Sequence, residues 1–199
     1  MGKAILYLHG KGGSAKEADR YKALCPEYDV FGMDDPFLTP WESKEKILAE
    51  YERLRINYDA IAIIANSIGA YFAMNALAGR PIEKALFISP IVDMEKLISD
   101  MMRQAGVTEA ELQEKREIET SFGERLSWRY LCYVRENPIR WNVRTDILYA
   151  GKDNLTSYET VSQFAKKANA SLTIMENGEH WFHTKEQLDF LNRWLKSHL

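Results

Sequence analysis

The chain has 199 residues, 46% hydrophobic and 28% charged, and its 26 Lys and Arg against 29 Asp and Glu leave a formal net charge of −3. That length suits one domain with a sizeable core, and the composition excludes a disordered chain. Without a basic stripe the balance also argues against nucleic acid as the main partner, and Cys25 and Cys132, lacking metal-like spacing, suit free thiols in a reducing compartment.

The first apolar run, "AILYLHG" (4–10), is too short for a signal peptide or a membrane span, and no small-residue cleavage site follows it. The expectation is a cytoplasmic protein with no membrane partner. Further apolar runs follow: "YDVFGMD" (28–34), "DAIAIIAN" (59–66), "KALFISP" (84–90), "TDILYAG" (145–151) and "SLTIMEN" (171–177). They are continuous rather than alternating, as strands of a parallel sheet covered on both faces should be. Helices between them are announced by capping boxes at Ser14-x-x-Glu17, Thr39-x-x-Glu42 (with Pro40 next), Thr108-x-x-Glu111, Thr156-x-x-Glu159 and Thr184-x-x-Gln187. This alternation predicts an α/β fold, three layers around a mainly parallel sheet of about six strands.

The stretch from about 91 to 140 breaks the rhythm. It reads as helices without a strand: Asp93 to Ala105 ending at Gly106, a short one from Thr108, and Ser127 to Glu136 stopped by Pro138. The expectation is a single domain with a helical cap insertion. Its aromatics, Trp128, Tyr130, Tyr133 and Trp141, suit packing, although some could face a substrate.

Function in open α/β sheets gathers at the carboxyl ends of strands. A serine, an acid and a histidine stand there in the order Ser67, Asp153, His180, the triad order of nucleophile-elbow hydrolases. "AIIANSIGAYF" (62–72) passes from strand to helix at Ser67 with almost no loop. Ala65 and Gly69 are the small residues that a sharp elbow needs, with alanine where glycine is usual. Taken alone, Ser67 could also be a plain helix N-cap.

Together, the His9-Gly10 strand end, the Ser67 elbow, Asp153 in "LYAGKDN" and His180 in "NGEHWFH" resemble a small α/β-hydrolase, in the reduced form lacking the first two strands. The resemblance spans almost the whole chain. It implies a serine hydrolase with Ser67 as nucleophile, His180 as base and Asp153 as the acid that orients it. The backbone amides of Lys11 and Ile68 would form the oxyanion hole, and His9, Gly10, Asn66, Trp128 and Trp181 would stand near the substrate. The expected substrate class is a small carboxylic ester, with a thioester or small amide behind it. No cofactor and no metal are implied, and monomer and homodimer are both open. His183 rivals His180 but directly precedes the helix-capping Thr184, where a surface place is expected. Asp146 and Glu176 lie at or within strands and are weaker candidates for the acid.

One motif points elsewhere. Gly10-Lys11-Gly12-Gly13-Ser14-Ala15 fits a Gly-x-Gly-x-x-Ala dinucleotide fingerprint after a strand, with Asp34 near the end of the next. An NAD-binding Rossmann-type protein is the alternative from another class. It leaves His9, the elbow, Asp153 and His180 unexplained.

Overall fold

The computed structural model describes residues 2–35 and 37–199. The apolar runs form strands as their composition requires: β1 (Gly2–Leu8), β2 (Asp29–Met33), β3 (Tyr58–Asn66) and β4 (Ala85–Ile88). After them come a short pair, β5 (Glu117–Glu119) and β6 (Arg125–Ser127), and then β7 (Thr145–Ala150) and β8 (Ser171–Met175). The helices are α1 (Ala18–Leu24), α2 (Pro40–Arg55), α3 (Ile68–Leu77), α4 (Met94–Ala105), α5 (Glu109–Lys115), α6 (Trp128–Glu136), α7 (Tyr158–Ala168) and α8 (Lys185–His198).

Six strands pair in parallel in the order β2-β1-β3-β4-β7-β8. Their side chains alternate between two covered faces. Ile5, Tyr7, Ala62 and Ile64 pack with residues of α1 and α8, while Leu6, Leu8, Ile61 and Ile63, on the opposite face, are fully buried as well. The result is three layers, helix, sheet and helix, with both faces dry. The chain runs from β1 outward to β2 and then crosses back to β3. The switch point therefore lies between the ends of β1 and β3, where ligands gather in such sheets. Gly10 and Ser67 stand there.

The chain divides into two compact units, one of Met1–Val92 with Arg140–Leu199 and one of Asp93–Ile139. The second unit holds the three expected helices, with Asp93 capping α4 through the Lys96 amide and Gly106 ending it at φ 66°. It also contains what periodicity missed, the antiparallel β5–β6 hairpin. Its strands are three residues each, and half of those residues are charged and exposed, so no apolar period marks them. Gly123 at φ 83° supplies the turn. Trp141 belongs to the first unit, where its ring lies 5.8 Å from Phe87 and its indole donates to Thr145.

Local caps follow expectation with corrections. Thr108 forms the full box with Glu111, whereas α7 is capped by Ser157, not Thr156. Asp153 draws the Thr156 amide to itself, which moves the helix start along by one. Thr39 gives its hydroxyl to the Glu42 carboxylate rather than accepting an amide. At Thr184 the Gln187 amide donates to Oγ1 as expected, but the Gln187 side chain reaches the His183 amide. Ser14 opens a 3-10 turn, Ala15–Glu17, before α1. Among the described residues no helix is long and apolar enough to cross a membrane.

After β2 the buried Asp35 carboxylate organises the entry to α2. It accepts from the Phe37 amide at 2.8 Å and the Ser43 hydroxyl at 2.9 Å, and pairs with Lys46 at 2.7 Å. Burial alone would raise its pKa, but the bonds from Lys46, Phe37 and Ser43 together outweigh that and hold it below the usual carboxylate value. Phe37, so held, stacks on Phe72 and packs at a tilt against His9. A carboxyl with a depressed folded pKa stabilises the fold above its unfolded pKa, and that share is lost as pH falls through the folded value. Asp35→Asn should therefore cost about 1–3 kcal/mol at pH 7. The variant should also lose less stability than wild type on acidification, as urea unfolding between about pH 7 and pH 3 would show.

Candidate active site

Ser67 sits between β3 and α3 with φ 52° and ψ −122°, a backbone region that non-glycine residues rarely occupy and that costs of order 1–3 kcal/mol. Main-chain bonds hold it there. Its amide donates to the Ile88 carbonyl at 2.9 Å, and its carbonyl accepts from Ala70 at 3.1 Å and Ile91 at 3.0 Å. Gly69 permits the sharp corner, since a Cβ there would stand 2.6 Å from the Leu8 carbonyl oxygen and 2.7 Å from that of His9. Fully buried Ala65 takes the other small-residue position.

Ser67 occupies the N-cap position of α3, yet its side chain caps nothing. Its hydroxyl lies instead 2.8 Å from Nε2 of His180. The plain capping role weighed from sequence is thus set aside. Nδ1 of His180 lies 2.7 Å from Oδ2 of Asp153, which fixes the tautomer: Nδ1–H donates to the carboxylate, so Nε2 is left to accept from Ser67. Asp153 has a fully buried side chain, and its Oδ1 accepts from the Leu155 amide at 2.8 Å and the Thr156 amide at 3.1 Å.

The loops after β7 and β8 come together through their backbones. Gly151 N donates to Met175 O and Lys152 N to Gly178 O, both at 2.8 Å. A side chain on Gly151 would strike Glu176. The Tyr149 hydroxyl donates to the Thr156 carbonyl and closes the loop that carries Asp153. Burial, and then the Asp153 charge, raise the Tyr149 pKa.

His183 is apart from this chain of bonds. It is about half exposed, bonds the Trp181 carbonyl and lies 3.3 Å from Glu179. Asp146 bonds Ser171 at the start of β7, and Glu176 is exposed beyond β8.

The loop after β1 runs beside the serine. A Cβ on Gly10 would lie 3.2 Å from Cβ of Ser67. His9 is buried and donates through Nδ1 to the Gly10 carbonyl at 2.6 Å, and Gly13 N donates to the same oxygen at 3.0 Å. The turn that carries Lys11 is thereby held from both sides, at the mouth of the β1–β3 switch point. Ile68 is the first residue of α3, and its amide has no acceptor within the helix. Asn66 is half-buried at the end of β3, and Trp181, next to His180, is 75% exposed. Trp128 opens α6 in the second unit, where its amide donates to the Arg116 carbonyl.

Glu17 closes the capping box expected with Ser14 and does more than the sequence showed. Its carboxylate accepts from the Tyr7 hydroxyl and from the Ser14 amide at 3.2 Å. A Cβ on Gly13 would stand 2.5 Å from this carboxylate and 2.9 Å from Cβ of His9, so the third glycine of the loop makes room for protein rather than for a pyrophosphate. An anion already occupies the helix entrance that a dinucleotide would need. The strand order also departs from the dinucleotide fold's 3-2-1-4-5-6. The NAD-binding alternative is not favoured.

No family model matches the chain, and no curated protein matches it in sequence. Solved structures do match it in shape. Est1E from Butyrivibrio proteoclasticus is similar with a TM-score of 0.77 at 17% identity, over 99% of this chain and 86% of that one. Alpha/beta hydrolase domain-containing protein 10 from mouse gives 0.79 at 14% identity, over 98% and 88%. The RedJ thioesterase of Streptomyces coelicolor gives 0.66 at 15% identity, over 99% and 86%. The chain has the fold of a small α/β-hydrolase.

Proposed function

We propose that the protein is a serine hydrolase that cleaves small carboxylic esters through an acyl-enzyme. The observation that carries this reading is the unbroken chain from the Ser67 hydroxyl, in a strained elbow, through His180 to the buried Asp153. Serine alone is a weak nucleophile. A base within hydrogen-bond reach and an acid behind that base are what activate it.

In the first half-reaction Ser67 Oγ attacks the ester carbonyl while His180 Nε2 takes its proton. Asp153 keeps the imidazole in the working tautomer and stabilises the imidazolium. The oxyanion is held by the Lys11 and Ile68 amides, each donor contributing about 3 kcal/mol to the transition state. His180 then gives the proton to the leaving alcohol. In the second half-reaction His180 deprotonates water, which attacks the acyl-enzyme, and the acid leaves as Ser67 regains its proton. His9, Gly10, Asn66 and Trp181 flank these groups.

A thioester or small amide would follow the same course. Among the similar structures Est1E is recorded with ferulic acid bound and RedJ is named a thioesterase, both in keeping with acyl chemistry. A serine nucleophile argues against the aspartate-dependent halide and epoxide chemistries of this fold.

Treatment with a fluorophosphonate should add one adduct to the wild-type mass and none to Ser67→Ala. Near-normal ester turnover by a folded Ser67→Ala protein would overturn the mechanism. On a 4-nitrophenyl ester, His180→Ala should lower kcat by about a thousandfold or more. His183→Ala should change it less than about threefold, because that ring bonds the Trp181 carbonyl and faces Glu179. Asp153→Asn should fall between the two when the three variants are compared at equal folded fraction by circular dichroism.

A further inference from the structure

A cavity of about 350 Å³ adjoins this site within the first unit, large enough for a small organic group. Its lining includes Asn66, the residue before Ser67, and Trp181, the residue after His180. The 3-10 turn and α1 contribute three charged side chains, Lys16, Glu17 and Arg20. They are not equivalent. Glu17 is engaged by the Tyr7 hydroxyl and the Ser14 amide, so its negative charge is already solvated by protein donors.

Arg20 is held by α8: Nε and Nη2 donate to Oδ1 of Asn192 at 3.2 and 2.7 Å, and Nη2 to the Leu188 carbonyl at 3.1 Å. These acceptors fix the half-buried guanidinium without neutralising it. Among the described residues neither Arg20 nor Lys16 has a carboxylate within ion-pair distance. A pre-positioned cation facing a cavity suits an anionic guest, because little rotamer entropy is left to lose on binding. The remaining lining, Tyr21, Ile88, Phe182 and Leu191, favours a hydrocarbon body. A singly charged carboxylate brings the lining of two cations and one carboxylate to neutrality, whereas a phosphate dianion would exceed it.

We propose that this cavity binds a carboxylate carried on the acyl chain of the substrate, with Arg20 and Lys16 as its specificity-determining residues. The enzyme is thereby directed to half-esters of dicarboxylic acids. This rests on the serine hydrolase reading, and the test separates the two.

The kcat/KM for 4-nitrophenyl hydrogen adipate is compared with that for the uncharged 4-nitrophenyl hexanoate, in wild type, Lys16→Gln and Arg20→Gln. Each protein thus serves as its own control for folding. Wild type should prefer the charged ester by about fivefold or more at low salt, and the preference should shrink in 0.5 M salt and by about threefold in each variant. Equal or better use of the hexanoate, or a preference untouched by both substitutions, overturns the proposal. Calorimetric titration with adipate reads the cavity without turnover. Adipate binding weakened by Lys16→Gln, in a protein that hydrolyses neither ester and takes no fluorophosphonate, would sink the serine reading and leave the cavity. Hexanoate turnover with no adipate binding would do the reverse.

Discussion

Everything at this site depends on one unfavourable backbone conformation, that of Ser67. A left-handed residue without a glycine's freedom persists only when its surroundings over-determine it. Here the over-determination is main-chain: β4 and the segment after it grip Ser67 by amide and carbonyl, while Gly69 lets the carbonyls at the end of β1 close in. Three neighbouring strands therefore converge on one corner. The hydroxyl cannot turn back to cap its own helix, and it meets the imidazole instead. Strain of this kind makes the elbow a product of the packed sheet rather than of local propensity.

Asp153 and His180 are placed by a different device. The paired strands β7 and β8 end side by side, at Ala150 and Met175. Backbone hydrogen bonds between the loops that follow continue this pairing, and the glycine at 151 allows the close approach to Glu176. The Asp153 carboxylate then saturates itself: one oxygen serves two backbone amides and the other serves His180. A buried carboxylate so supplied with donors stays ordered and aims the ring without a further partner.

Much of this was legible in the sequence because it follows from type and position. Continuous apolar runs mark parallel strands, and the residues just beyond them can be read in order, Ser67, Asp153 and His180 among them. Alanine at 65 does not hide the elbow, because the corner needs smallness there rather than glycine. What escaped depends on tertiary contact. Thr156 carries a capping-box spacing but surrenders its amide to Asp153, so the cap passes to Ser157. The β5–β6 hairpin is too short and too charged to show a period. Glu17 looks like half of an ordinary capping box with Ser14, and only the fold reveals that Tyr7 binds its other oxygen. The loop from Gly10 to Ala15 matches a phosphate-binding pattern whose space is filled by His9 and Glu17.

The first unit is discontinuous in the chain, with β1 to β4 before the second unit and β7 and β8 after it. The Ser67–His180 hydrogen bond spans 113 residues. On a ribosome, where the chain emerges from its amino end, the strands that strain the serine are all available long before the histidine appears. A nascent chain can thus assemble the corner while its hydroxyl has no imidazole to face. The arrangement is order-dependent: the strained serine corner is built first and its hydrogen-bond partner arrives last.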